Sequence, residues 1–150
     1  MRVVIQKVEK ASVFIEGKEH ASIGKGLLVL QGVEEADNHE DITWLAGKIS
    51  RLRVFDDADG VMNLSVKNVQ GELMVISQFT LHASTKKGNR PSYIRAAAPE
   101  QAIPLYEEFI RALEKESGLR VCSGIFGAYM KISLVNDGPV TITIDSKNKE

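Results

Sequence analysis

Gly26-Leu27-Leu28-Val29-Leu30-Gln31-Gly32-Val33 is an eight-residue run with one polar side chain and no charge. A near-continuous apolar run of that length suits a β-strand buried on both faces. Glu72 to Ser77 (ELMVIS) is a second such run and predicts a central strand. Strands buried on both faces need covering layers, and two helical patterns supply part of the cover. Asp37 or Asn38 can cap a helix with Glu40 and Asp41 in its first turn, where acids suit the dipole. That helix is predicted to run to about Leu52, with Ile42, Leu45, Ile49 and Leu52 on one face and Trp44 beside the stripe. A second helix opens at Pro99 or Glu100 and runs to about Ser117, burying Ala102, Tyr106, Phe109, Ile110 and Leu113. Pro104 is tolerable near its first turn, and Gly118 reads as its stop.

Outward from these elements the chain reads as β-structure. Val3–Val8 and Ala11–Ile15 are rich in β-branched residues, with turn or break signals at Gly17-Lys18 and Gly24-Lys25-Gly26. Arg53–Phe55 is predicted as a short strand, followed by a turn cluster at residues 56–60. Met130, Ile132 and Leu134 alternate with Lys131, Ser133 and Val135, and Val140, Ile142 and Ile144 alternate in the same way. Asn136-Asp137-Gly138-Pro139 between them reads as a turn joining two strands. Residues 82–98 read as a long loop, and Ser146–Glu150 as a frayed polar tail. The expected fold is a single α/β domain over residues 1–150, with mixed β-sheets packed in layers and two main helices. With so few helices, one sheet face must pack on other strands or on a partner chain.

The composition narrows the function classes. With 43% apolar and 26% charged residues and 4 Pro, the 150-residue chain is neither disordered nor collagen-like. Cys122 is the only cysteine, so there is no internal disulfide and no CxxC metal clamp, which fits a reducing compartment. No apolar run approaches a membrane span, and Met1–Lys7 does not have the pattern of a signal peptide. A net charge of −1 argues against a protein held to nucleic acid, DNA included, by bulk charge. The charge is unevenly spread, however. Leu73 to Pro99 contains no Asp or Glu but holds Lys86, Lys87, Arg90 and Arg95, so a locally positive loop is expected.

Several common sites are absent. Gly24-Lys25 and Gly47-Lys48 lack the Ser/Thr and the upstream Gly of a phosphate loop. Asp57-Ala58-Asp59-Gly60 resembles the middle of an EF-hand, but Phe55 and Val66 occupy the anchoring positions, so a solvated turn is expected. His20, His39 and His82 have no ligand spacing; each is read as a surface or satisfied histidine, with no metal and no cofactor.

Three features remain. Ser77-Gln78-Phe79-Thr80 lies where an apolar strand ends, and its turning backbone can offer N–H groups to an oxyanion in acyl transfer. The plainer reading is a strand end with polar capping, since no GxSxG elbow is present. Lys86-Lys87-Gly88-Asn89-Arg90-Pro91 can meet phosphates, with Tyr93 beside it for stacking, or can be an ordinary solvated loop. Gly138-Pro139 can hold backbone carbonyls toward an ammonium group, or can be an ordinary trans turn.

Ser77-Gln78-Phe79-Thr80-Leu81 resembles the SQFTL signature of D-aminoacyl-tRNA deacylases, and Asn136-Asp137-Gly138-Pro139-Val140-Thr141 resembles their NDGPVT signature. The resemblance covers nearly the whole chain, including Ala11-Ser12-Val13, Met62–Val66, Lys87–Pro91 and Phe126-Gly127-Ala128. It implies a cytosolic homodimer that hydrolyses the ester of D-aminoacyl-tRNA and releases free D-amino acid and tRNA. It implies a cis Gly138–Pro139 bond, and active sites at the subunit interface. Gly138 and Pro139 of one subunit would enter the other's pocket, hold the substrate amine and exclude the L side chain. Glycine would pass, so glycyl-tRNA would be cleaved as well. One mechanism in the family makes Thr80 a nucleophile. Another uses the terminal ribose hydroxyl to assist water, with the backbone at Phe79-Thr80 holding the oxyanion. No base is tied to Thr80 in the sequence, which favours the second, with Ser77, Gln78, Phe79 and Thr80 shaping the pocket. Met130 is assigned to the adenosine site, and Lys86, Lys87 and Arg90 to the tRNA. Two departures stand out: Lys7 where the family pattern has Arg in QRV, and Tyr129 at a position expected to vary. The alternative function is a non-catalytic tRNA-binding module.

Overall fold

The computed structural model describes residues 1–150. In chain order the elements are β1 (Arg2–Ile15), β2 (Lys18–Ile23), β3 (Gly26–Gly32), α1 (His39–Arg51), β4 (Arg53–Asp56), β5 (Met62–Ser65), β6 (Glu72–Ser77), a 3-10 turn (Phe79–His82), α2 (Pro99–Ser117), β7 (Val121–Ser123) and β8 (Met130–Asp145). One mixed, nearly closed sheet carries β2-β1-β3-β6-β7, with β8 on β1; β4 and β5 form a separate hairpin. β3 and β6 run parallel in a register that sets Gln31 beside Ser77.

The two apolar runs are buried on both faces because their side chains alternate between two cores. Leu27, Val29, Leu73 and Val75 face the helices and meet Ile42, Leu45 and Ile49 of α1 and Tyr106, Phe109 and Leu113 of α2. Leu28, Met74 and Ile76 face the other way and meet Val8, Val13 and Ile23, with Ile132 and Leu134 of β8 packed alongside. Strands therefore cover the face that the helices leave open. Asn38 caps α1 in a reciprocal box with Asp41, and Gly118 ends α2 with φ of 67°.

Three expectations are corrected. The two N-terminal strands are one, β1, whose register with β8 slips around Val8. The exposed Glu9-Lys10 pair belongs to this irregularity and does not break the strand. Asn136–Pro139 does not reverse the chain: Met130–Asp145 is a single strand running antiparallel to β1. Because Asn136 pairs with Val8 and Thr141 with Gln6, residues 137–140 stand out opposite the single residue Lys7. The Gly138–Pro139 bond is cis.

The third correction concerns the tail, whose first residues are fastened. Buried Ser146 takes a hydrogen bond from the Met1 ammonium (2.9 Å) and donates to Asp41 (2.7 Å), while the Lys147 ammonium binds Asp41 at 2.7 Å. The Met1 ammonium is also ion-paired with buried Asp37. Burial pushes the Asp41 carboxyl up, but hydrogen bonds from Lys147, Ser146 and the Asn38 N–H outweigh it and hold the group below its ordinary 3.8. Asp145 is lowered likewise, with burial opposed by its hydrogen bond from Arg2. A carboxylate lowered in the folded state stabilises fully above its unfolded value and loses that contribution as pH falls through the folded value. The melting temperature is therefore expected to drop as pH falls below about 4, and Asp41→Asn to flatten that acid limb. An unchanged acid limb in the variant would show that this seam does not carry the effect.

Candidate active site

β6 delivers Ser77 and Gln78 to the end of the sheet, where the Gln78 N–H donates to the Gln31 carbonyl at 2.7 Å. The chain then turns into the 3-10 segment. Leu81 N–H donates to the Gln78 carbonyl (3.2 Å) and Ala83 N–H to the Thr80 carbonyl (3.0 Å). The N–H groups of Phe79 and Thr80 donate to no acceptor in the chain, and Gln78 makes no side-chain cap. They are the first-turn donors that a helical segment leaves unpaired. Gly32 lets this turn approach β3: a Cβ there would lie 2.9 Å from the Gln78 carbonyl oxygen and 3.1 Å from Leu81 Cβ. The Arg2 guanidinium donates to the Leu81 carbonyl at 3.1 Å.

Beside the turn is a cavity of about 270 Å³. Gln31, Ser77, Gln78 and Phe79 line it together with Phe126, Gly127, Ala128, Tyr129, Met130 and Ile132. The walls are largely apolar, so a charge developing inside would be poorly solvated and a backbone donor there would act strongly. Thr80 does not line the cavity. Its hydroxyl oxygen accepts from the Gln78 side-chain amide, and no imidazole or carboxylate is bonded to it. Tyr106 donates to the Val75 carbonyl at 3.0 Å, and burial pushes its phenol up to about 12, so it stays protonated and offers no base. His82 is 1% exposed, with both ring nitrogens unpartnered, which corrects the reading of it as a surface or satisfied histidine. No cluster of three His, Cys, Asp or Glu side chains has metal-holding geometry. A larger hollow, about 550 Å³, lies between α1 and the end of β8, but neither Phe79 nor Thr80 lines it.

Of the residues singled out in the sequence, Ser77, Gln78, Phe79 and Met130 come together in the cavity. Gly138 and Pro139 are exposed and do not line it. The loop that carries them is stapled at its base: Asn136 Oδ1 accepts from the Val140 N–H and its amide donates to Thr141 Oγ1, both at 3.0 Å. Beneath it, Lys7 is 5% exposed, with Nζ 4.0 Å from Asp137 and 4.0 Å from Asp56. Lys86, Lys87 and Arg90 are exposed on a loop closed by mutual backbone hydrogen bonds between Ser84 and Ser92, and they too lie outside the cavity.

This arrangement can be set beside known proteins. The family model for D-Tyr-tRNA(Tyr) deacylase matches residues 4–145. The chain belongs to that family. Its members are hydrolases, and this one is an enzyme of the same class. It is 63% identical over 150 residues to a D-aminoacyl-tRNA deacylase of Flavobacterium johnsoniae and 64% identical to one of Flavobacterium psychrophilum, each match covering 100% of both chains. Among solved structures, the one described as c-Myc DNA Unwinding Element Binding Protein superposes with a TM-score of 0.90 at 39% identity, covering 97% of this chain and 98% of the other. A probable eukaryotic D-amino acid tRNA deacylase shares the fold, with a TM-score of 0.81 at 17% identity, covering 95% and 97%. No helix is long and apolar enough to cross a membrane.

Reasoning from the sequence did not place Gln31, Tyr129 or Asp137 in this setting. Gln31 carried one signal, a lone polar residue inside an apolar run. Asp137 lay inside the signature, but its partner Lys7 is 130 residues away and meets it only through the β1–β8 register.

Proposed function

We propose that the chain hydrolyses the ester between a D-amino acid and the terminal ribose of its tRNA, in the cytoplasm and as a homodimer. The observation that carries the mechanism is the pair of unpartnered N–H groups at Phe79 and Thr80, beside an apolar cavity and with no base on the Thr80 hydroxyl. Water adds to the ester carbonyl carbon, and the carbonyl oxygen becomes an oxyanion received by those two donors. The neighbouring ribose hydroxyl takes a proton from the water as it passes one to the departing ribose oxygen. The carbon–oxygen ester bond breaks, leaving the free D-amino acid and intact tRNA. In this reading Thr80 contributes its backbone and no covalent chemistry, Met130 lines the adenosine site, and no metal or cofactor is used.

Gly138 and Pro139 do the chiral selection from the partner subunit. Their exposure, on a loop that does not line its own cavity, supports that reading. Their carbonyls accept hydrogen bonds from the substrate ammonium, and an L side chain collides where a D side chain points away. Glycine has no side chain to reject, so glycyl-tRNA is cleaved as well. Lys7, held between Asp56 and Asp137, keeps the loop in place with a point charge where an arginine fork would otherwise serve. Lys86, Lys87 and Arg90 meet the tRNA phosphates. A non-catalytic nucleic-acid-binding module is the second reading, favoured by the name of the neighbour described as binding a DNA element. It requires salt-sensitive binding of tRNA or DNA with no acceleration of ester loss.

A shared site is tested by mixing two inactive variants. Phe79→Pro removes one of the two oxyanion donors and Gly138→Ala displaces the loop. Each homodimer has two damaged sites, whereas a mixed dimer has one site with both lesions and one with neither. Unfolding and refolding the two together is expected to restore about a quarter of wild-type activity. No recovery, with mixed dimers present by mass, would place both elements in one subunit's site.

A further inference from the structure

Three aromatic side chains near the cavity mouth are exposed rather than packed. Tyr129, on the cavity wall, is 84% exposed. Phe79, which also lines the cavity, is 54% exposed, and its ring meets Tyr93 edge to face, with centroids 5.0 Å apart and planes at 75°. Tyr93 lies just past the closed Ser84–Ser92 loop that carries Lys86, Lys87 and Arg90. Arg95 is not part of this basic surface, because its guanidinium is held by Glu34 at 3.1 Å. The Phe79–Tyr93 contact links the apolar pocket to the exposed rings, and Tyr93 follows the cationic loop directly in sequence.

We propose that Tyr129, Phe79 and Tyr93 form a stacking rim for the unpaired nucleotides that precede the terminal aminoacylated adenosine. The inference rests on the hydrolytic reading above and extends it from the ester to the strand that delivers it. A single-stranded polyanion whose last residue enters the cavity must carry its next bases past the rim and its phosphates toward the basic loop. Unstacked bases have two open π-faces and bind to isolated exposed rings, whereas bases inside a duplex are already stacked. The cations beyond the rim complement the phosphates of such a strand and would repel a basic protein partner.

The test compares two substrates in the full-length protein: D-tyrosyl-tRNA, and D-tyrosyl-adenosine, which lacks the preceding nucleotides. Stacking is worth about 1–3 kcal/mol per base, so the preference for tRNA over the adenosine ester is expected to fall about 5–150-fold in Tyr129→Ala and in Tyr93→Ala. The loss should appear in KM for tRNA, and Tyr129→Phe, which keeps the ring, should restore it. Equal losses on both substrates would overturn the proposal, since the rings would then be shaping the ester pocket. So would an unchanged preference, or a changed sedimentation coefficient in Tyr129→Ala, which would mark a protein contact. A second measurement does not depend on catalysis: binding of a short single-stranded RNA with the unpaired 3′ sequence of tRNA, followed by fluorescence anisotropy. Weaker binding in Tyr129→Ala supports the rim even if the wild type cleaves neither ester, an outcome that would defeat the hydrolytic reading alone; equal binding overturns the rim.

Discussion

Replacing Phe79 by proline is expected to lower the rate of D-ester hydrolysis by about 10²–10³, because one oxyanion donor is worth that much in comparable sites. Proline removes one N–H and little else from the backbone, since an unpaired first-turn position is where a helical segment tolerates it. Two companions separate the donor from the side chains. Phe79→Leu keeps the N–H and tests the ring, and Thr80→Ala keeps the N–H and removes the hydroxyl. At saturating enzyme, where a weaker hold on the tRNA does not show, both are expected to stay within about tenfold of wild type, because neither removes a donor from the oxyanion site. The Thr80 hydroxyl oxygen accepts from the Gln78 amide and has no base to take its proton, so it is a weak nucleophile. Single-turnover rates on D-tyrosyl-tRNA decide the matter. A Thr80→Ala loss beyond about a thousandfold would make the hydroxyl a direct participant, since that exceeds the worth of a single donor.

The second large effect is expected from Gly138→Ala. Gly138 has φ of 138°, a region that side-chain-bearing residues rarely enter, and an added Cβ would lie 2.8 Å from Val140 Cγ2 and 3.0 Å from the Val140 N–H nitrogen. Alanine must therefore move the loop backbone, and with it the carbonyls read here as amine acceptors. A misplacement of about 1 Å costs about 10²-fold where orientation matters, so kcat/KM on the D-ester is expected to fall by about that factor. Circular dichroism and the melting temperature should change little, because Gly138 and Pro139 are exposed and pack in neither core cluster. The D-to-L rate ratio should narrow. An unchanged ratio with a wild-type rate would remove the loop from chiral selection.

How much of this was legible in the sequence depended on how local each signal was. β3, β6, α1 and α2 were readable to within a residue or two, because an apolar run or a helical stripe with its caps is contained in a dozen neighbouring residues. β7 and β5, at three and four residues, are too short to show a period. The Asn-Asp-Gly-Pro run has the chemistry of a turn, and only pairing with a continuous β1 makes it a protrusion from one strand. The same holds for the site. Ser77–Thr80 and Gly138-Pro139 were visible as signatures, whereas the wall formed by Gln31 and Tyr129 depends on the parallel β3–β6 register and on where β8 begins. Ser146 and Lys147 looked like a polar tail because the Asp41 that fastens them is over a hundred residues away.

The central claim is chiral ester hydrolysis, and the most direct measurement follows the loss of amino acid from matched D-tyrosyl-tRNA and L-tyrosyl-tRNA with trace enzyme. Rapid release from the D-ester with the L-ester left at its spontaneous rate is the predicted result. Equal release from both, or release from neither by a folded protein that still binds tRNA, would contradict it.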